Sequence, residues 1–110
     1  MEIAFEIHKT LGPGFTENIY EAAFVHELRS REIKYEQQMP IQIPYQDIEL
    51  GIYRLDLVIE GKILIELKAV NIISDLFKQQ VFSYLKASSL KLGILINFGS
   101  KRLESVRIVC

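Results

Sequence analysis

Asp56, Glu66 and Lys68 have the residue types and spacing to hold a hard divalent cation and work beside it. The stretch Lys62-Ile63-Leu64-Ile65-Glu66-Leu67-Lys68 alternates as a strand. Leu64, Glu66 and Lys68 share one face, and Ile63, Ile65 and Leu67 the other. Both faces begin apolar, so this strand is expected to be central and covered on both sides. A carboxylate and an ammonium then stand at the end of a buried strand, where unpaired charges are costly and partners are needed. Taken alone, a Glu-Leu-Lys triplet reads best as an ion pair leaving the sheet for solvent. Asp56 alters that balance. It lies in the apolar run Ile52–Ile59, on the face of Ile52, Arg54 and Val58, where a solvent-facing carboxylate is out of place.

Whether Asp56 and Glu66 meet depends on hairpin register. A two-residue Glu60-Gly61 turn pairs Asp56 with Ile65 and puts Glu66 on the opposite face. A three-residue loop, Ile59-Glu60-Gly61 with Gly61 left-handed, sets Asp56 opposite Leu64 and diagonal to Glu66 on the same side. An odd-length connection or a bulge is therefore expected. Two carboxylates at about 4 Å, in an effective dielectric of about 20, repel by roughly 4 kcal/mol. A proton or a cation relieves that repulsion. Carboxylate oxygens suit Mg²⁺ or Mn²⁺ and do not suit a thiolate-preferring metal. Such an ion acts as a Lewis acid on phosphoryl oxygens, and Lys68 is then placed to orient water or stabilise negative charge.

Glu17 is a candidate third carboxylate. It shares a helix side with Tyr20, Glu21 and Phe24, and that side is partly apolar, so at least one of Glu17 and Glu21 should point inward. Taken alone, Glu17 fits better as an exposed first-turn charge. Gln80 and Tyr84 lie four apart, beside Phe77 and Val81, where an amide and a phenol could bond a phosphate or hold Lys68. A boundary glutamine and a core tyrosine are the plainer alternative. His8 and His26 are isolated and read as surface or boundary residues.

The elements that must position these groups are legible as follows. Residues 3–10 read as a helix stopped by Gly12-Pro13-Gly14. Thr16 is placed to cap a second helix running to about Arg31, with Tyr20, Ala23, Phe24 and Leu28 at helical spacing. Lys34 to Tyr45 reads as extended, and Pro40 and Pro44 point to an edge strand or an irregularity. Asp47 to Glu49 should turn, before strands Ile52–Ile59 and Lys62–Lys68. Asp75 is expected to cap a helix to about Ala87, followed by strands Lys91–Asn97 and Glu104–Val109 around a Gly99-Ser100 turn. The first three strands should be antiparallel, and the fourth is reached by a helical crossover. That order predicts an α/β fold with a mixed central sheet flanked by helices.

The 110 residues suit one domain, 1–110, and a 49% hydrophobic, 25% charged composition suits one modest core. The single cysteine, Cys110, excludes an internal disulfide framework or a cysteine-rich zinc site and fits a reducing, cytoplasmic setting. No secretory leader is expected from Met1-Glu2-Ile3, and no membrane span fits the short, charge-broken apolar runs. Net charge is −1, but residues 1–77 hold 13 acidic and 7 basic side chains, whereas 78–110 hold 1 and 6. An acidic part beside a basic part suits a metal-dependent enzyme on a phosphate polymer, with Lys86, Lys91, Lys101 and Arg102 meeting the backbone. Chance asymmetry on a solvated surface explains the charges equally well.

Gly14-Phe15-Thr16-Glu17-Asn18-Ile19-Tyr20 carries a GxxExxY signature. With HKTLGPGFTENIYE, YRLDLVIEGKILIELKAV and QVFSYLKASSLKLGILINFGSKRLESVRIV, the chain resembles the GxxExxY proteins of the PD-(D/E)XK nuclease superfamily over nearly all its length. The resemblance implies a restriction-endonuclease-like αβββαβ core. It implies that Asp56, Glu66 and Lys68 fall on the D…ExK positions. Glu17 falls on the acidic position of the first core helix, and Gln80 and Tyr84 on a QxxxY feature. Relatives often carry a histidine and an acidic residue where this chain has Phe77 and Lys78. The implied function is Mg²⁺- or Mn²⁺-dependent phosphodiester hydrolysis in nucleic acid, DNA in preference to RNA. The alternative is a non-catalytic nucleic-acid- or protein-binding module on the same scaffold. A homodimer or a component of a larger complex is a further expectation.

Overall fold

The computed structural model describes residues 2–110. Helix α1 spans Glu2–Leu11, with Ala4 and Ile7 buried, and ends where Gly12 takes φ +69 and its N–H returns to the His8 carbonyl at 2.8 Å. Helix α2 spans Glu17–Ser30 and buries Tyr20, Phe24, Val25 and Leu28. Thr16 stands at its N-cap position but makes no side-chain cap bond; its hydroxyl turns to Asn18. Arg31 joins the two helices on the outside, 3.3 Å from Glu2, 3.0 Å from Glu6 and 3.3 Å from Glu27.

Five strands form one sheet in chain order: β1 (Tyr35–Tyr45), β2 (Ile48–Ile59), β3 (Ile63–Lys68), β4 (Leu92–Asn97) and β5 (Glu104–Val109). The β1–β2, β2–β3 and β4–β5 pairs are antiparallel, while β3 and β4 are parallel and linked through helix α3, Asp75–Ser88. This is the α/β, restriction-endonuclease-like arrangement the sequence predicts. Strand β1 lies at an edge, and its register with β2 shifts between Ile43 and Pro44, so the prolines mark both an edge and an irregularity. Several boundaries move: β2 already begins at Ile48, β3 and β4 begin one residue later than expected, at Ile63 and Leu92, and Ser74 rather than Asp75 caps α3, its hydroxyl accepting the Phe77 N–H. Ser is as good a cap as Asp, and its position one residue earlier leaves Asp75 to interact with the helix dipole.

Strand β3 is the central one, and its residues 64–67 are all buried. Helices α1 and α2 cover one face, packing on Leu57, Ile65, Leu67, Ile96 and Phe98. Helix α3 covers the other, packing Val81 and Leu85 on Leu55, Val58, Leu64 and Leu95. Burying each such side chain stabilises by roughly 1.5–3 kcal/mol. Among the described residues no helix is long and apolar enough to cross a membrane.

One irregularity shapes the site. In a regular strand, residues i and i+2 share a face. Here Tyr35, Leu57 and Ile59 pack with α1 and α2, but Met39, Ile41, Tyr53 and Leu55 pack with α3. The pairing has the same register on both sides of Gln38 and Asp56, from Gln37↔Leu57 to Met39↔Leu55, so no residue is inserted. Both strands turn over between those rungs. Gln38 has φ +53, the left-handed region that reverses a strand's facing. The expectation that Ile52, Arg54, Asp56 and Val58 share one face is corrected accordingly: alternation breaks at the kink, so Val58 packs with α3 beside Tyr53 and Leu55, opposite the Arg54 side.

Candidate active site

The connection between β2 and β3 is the three residues Glu60-Gly61-Lys62, of odd length as register arguments require. Glu60 and Gly61 both have positive φ, at +53 and +67, and the Lys62 N–H returns to the Ile59 carbonyl at 3.0 Å. The loop sits one residue later than Ile59-Glu60-Gly61. That moves the pairing by two, to Ile59↔Ile63 and Leu57↔Ile65, and its continuation sets Asp56 directly opposite Glu66 instead of Leu64.

The regular ladder stops at Leu57↔Ile65, and the two carboxylates bridge the opening beyond it. Glu66 Oε2 accepts the Asp56 backbone N–H at 2.8 Å, and Asp56 Oδ2 accepts the Leu67 N–H at 2.9 Å. Each side chain thus satisfies a backbone donor of the opposing strand. Glu66 is 2% exposed. Burial, then the Asp56 charge, push its carboxyl up to about 7, against the opposing pull of the Asp56 N–H, the Tyr53 hydroxyl and Lys68. Asp56 is also raised, chiefly by burial and next by Glu21 and Glu17, while the Leu67 N–H and the Gln38 amide act the other way.

On the α3 side, the Tyr53 hydroxyl donates to Glu66 Oε1 at 3.1 Å, and its ring stacks on Tyr84 with centroids 4.0 Å apart. Burial, with Tyr84 and then Glu66 adding to it, raises the Tyr53 phenol. Tyr84 therefore reaches the carboxylates through Tyr53. Half-buried Gln80 lies one turn earlier on α3. The Lys68 ammonium rests over the Phe77 ring, 4.5 Å from its centroid, a cation–π contact where Gln80 and Tyr84 were the expected holders.

Glu17 is exposed at the start of α2. One turn on, Glu21 accepts the Gln37 amide at 2.7 Å and the Gln38 amide at 3.0 Å, and Gln38 also reaches Asp56 Oδ1 at 3.3 Å. Of the two helix carboxylates, Glu21 is the one bonded toward the sheet. The signature residues around it are structural: Gly14 has φ +126, and buried Tyr20 donates to the Gly12 carbonyl, accepts the Phe15 N–H and stacks on Phe98. His8 bonds the Ser100 carbonyl at 2.9 Å, and His26 is exposed.

Asn97 is fully buried beside Lys68 in the β3–β4 register. Its Oδ1 accepts the Val70 N–H at 2.9 Å and the Gly99 N–H at 3.0 Å, while its Nδ2 donates to the Val70 carbonyl and Glu104 at 2.8 Å. The Phe98 N–H closes on the Lys68 carbonyl at 2.8 Å. A Cβ at Gly99 would fall 2.3 Å from the Val70 nitrogen, so only glycine fits. This clamp fixes the chain directly after Lys68. Sequence reasoning missed Asn97, Tyr53 and Gln38. A polar residue closing the apolar run Leu92–Ile96 is the one local signal that could have found Asn97.

A buried, mutually repelling carboxylate pair with a lysine on the same strand suits a hard cation, since both side chains offer oxygen donors and both carboxylates are held against their own charge. Among the described residues, no three His, Cys, Asp or Glu side chains converge as a preformed cation cage. The site is a pair with Glu21 linked to it through Gln38.

An α/β domain with this strand order and two carboxylates at the split between its second and third strands is a restriction-endonuclease-like domain. The sequence matches the PD-(D/E)XK nuclease superfamily over residues 1–108, and the chain belongs to that superfamily. Among solved structures, the chain is similar to the one titled "Crystal structure of SSO0001", at 21% identity and a TM-score of 0.66. The match covers 84% of this chain and 48% of that one, so the chain spans about half of its length. The fold is what that likeness supports. No curated protein matches the chain.

Proposed function

We propose that the chain is a divalent-metal-dependent phosphodiester hydrolase of nucleic acid, DNA in preference to RNA, within the GxxExxY group. The observation that carries this reading is the Asp56–Glu66 pair at the opening of the β2–β3 ladder. Asp56 and Glu66 would hold Mg²⁺ or Mn²⁺, with Glu17 assisting from α2. Such an ion would supply Lewis-acid charge against negative charge on the phosphoryl oxygens. Lys68 orients the attacking water and offsets negative charge. Gln80 and Tyr84 would position substrate, Tyr84 also steadying Glu66 through Tyr53, while Phe77 holds Lys68. Lys101 and Arg102 follow β4 at the Asn97↔Lys68 end of the sheet and would meet the phosphate backbone there. Lys86 and Lys91 lie toward the Ile63↔Leu92 end and fit that role less well.

The test is cleavage of single- and double-stranded DNA and RNA with Mn²⁺ or Mg²⁺. Asp56→Asn, Glu66→Gln and Lys68→Ala are each expected to abolish it, and activity unchanged in all three overturns the reading. A second reading, a component of an assembly, is favoured by the β1–β2 hairpin end, where Tyr45, Ile48, Leu50 and Ile52 are all exposed. Light scattering on the purified chain checks it, and a monomer at every concentration counts against a homodimer.

A further inference from the structure

Five non-glycine residues among those described have positive φ: Glu32, Gln38, Gln46, Glu60 and Ser89. Four of them occupy turns or helix ends, where such backbone is common. Gln38 alone lies inside a strand. Left-handed backbone within a strand is unfavourable for a residue with a Cβ, and it persists only where surroundings enforce it. The surroundings here are the candidate active site. The kink falls on a rung missing from the β1–β2 register, opposite Asp56. The Gln38 Nε2 group donates to Glu21 at 3.0 and 3.2 Å and to Asp56 Oδ1 at 3.3 Å. One NH₂ group thus stands between two carboxylates that would otherwise repel. The backbone side is braced as well, since Arg54 donates to the Gln38 carbonyl at 3.4 Å.

From this geometry we infer that Gln38 is a positioning residue of the carboxylate site. Its left-handed backbone turns the β1–β2 hairpin over at Asp56, and its amide ties Asp56 to Glu21. Glu21 is then the α2 carboxylate tied to the site by hydrogen bonds, one turn beyond exposed Glu17. The functional part rests on the metal reading above; the geometric part does not. Outer residues that orient a metal-binding carboxylate typically change metal affinity by about 10- to 100-fold when removed.

Two measurements decide it. The first uses the metal-free protein in EDTA. Gln38→Gly suits φ +53 and deletes the amide, and Glu21→Ala deletes its main acceptor. Glu21→Ala is expected to lower Tm by less in the Gln38→Gly background than in wild type. Additive Tm changes overturn the inference whether or not the protein binds metal. The second is Mn²⁺ affinity by calorimetry. Gln38→Gly should weaken Mn²⁺ binding about 10-fold or more while Tm holds or rises. Gln38→Asn tolerates the backbone but is one methylene too short, and should weaken binding likewise. Gln38→Glu keeps the length and replaces the donor with a carboxylate oxygen. It should lower the metal-free Tm yet retain or tighten Mn²⁺ binding, whereas a merely structural role makes it lose both. Wild-type Mn²⁺ affinity in Gln38→Gly overturns the positioning role. A wild-type protein that binds no Mn²⁺ overturns the metal reading itself, and the EDTA cycle then still decides the Gln38 geometry.

Discussion

Replacing Glu66 with glutamine should remove most of the pH dependence of stability in the metal-free protein. Glu66 is 2% exposed, and its carboxyl is pushed from an ordinary 4.5 up to about 7. The folded state therefore holds this proton more tightly than the unfolded chain does. Its contribution to stability is fully present below about pH 4.5 and is lost as pH rises through about 7. At about 1.36 kcal/mol per pH unit, the interval corresponds to about 3 kcal/mol. For a domain of this size that is roughly 13 °C in Tm. Glutamine keeps the geometry: its carbonyl can accept the Asp56 N–H, and its amide can donate to the Tyr53 hydroxyl, which turns to accept. Urea unfolding in EDTA, from about pH 5 to about pH 8, reads the effect. Wild type should lose stability steeply across that range. Glu66→Gln should be nearly flat, with a residual slope of the same sign from Asp56, which is also raised. The variant should be the more stable protein above pH 7. An equal slope in both proteins refutes the reasoning, because Glu66 would then not be held against its charge.

Tyr53→Phe keeps the stack on Tyr84 but removes the donor to Glu66, so the Glu66 carboxyl should move further above 7 in carboxyl ¹³C NMR titration. The same change should cost about 1 kcal/mol at alkaline pH in urea unfolding. Lys68→Met removes a charge that favours ionised Glu66, and should likewise raise that carboxyl in the NMR titration. Gly99→Ala forces a Cβ to within 2.3 Å of the Val70 nitrogen and should destabilise by about 1–3 kcal/mol or more, read as a fall in Tm. Asn97→Ala strands the half-buried Val70 and Gly99 N–H groups and should cost about 1–3 kcal/mol in all, checked by thermal unfolding.

Much of this arrangement is written locally. Apolar residues on both faces of Ile63–Leu67 mark a central strand, and the prolines of β1 mark an edge. Parity alone demands an odd β2–β3 connection if Asp56 and Glu66 are to meet, and Glu60-Gly61-Lys62 supplies it. The exact pairing was not legible, because either Ile59 or Lys62 can complete the loop around Gly61. The turnover at Gln38 was not legible either. Nothing in Glu36-Gln37-Gln38-Met39 marks a left-handed residue, which is imposed by two cores on opposite faces and by Glu21 and Asp56. Tyr53 carries no local sign of its role, because its partner, Glu66, comes from another strand. Phe77, which carries the Lys68 ammonium, has the helical spacing of a core residue, and periodicity cannot distinguish the two roles.

The central claim is that Asp56 and Glu66 form a cation site at the mouth of the β2–β3 split. A crystal structure of the protein soaked with Mn²⁺, with anomalous scattering recorded at the manganese edge, tests it most directly. The account predicts an anomalous peak between the two carboxylates. A fully soaked crystal with no peak there, or with its manganese bound only elsewhere, would contradict it.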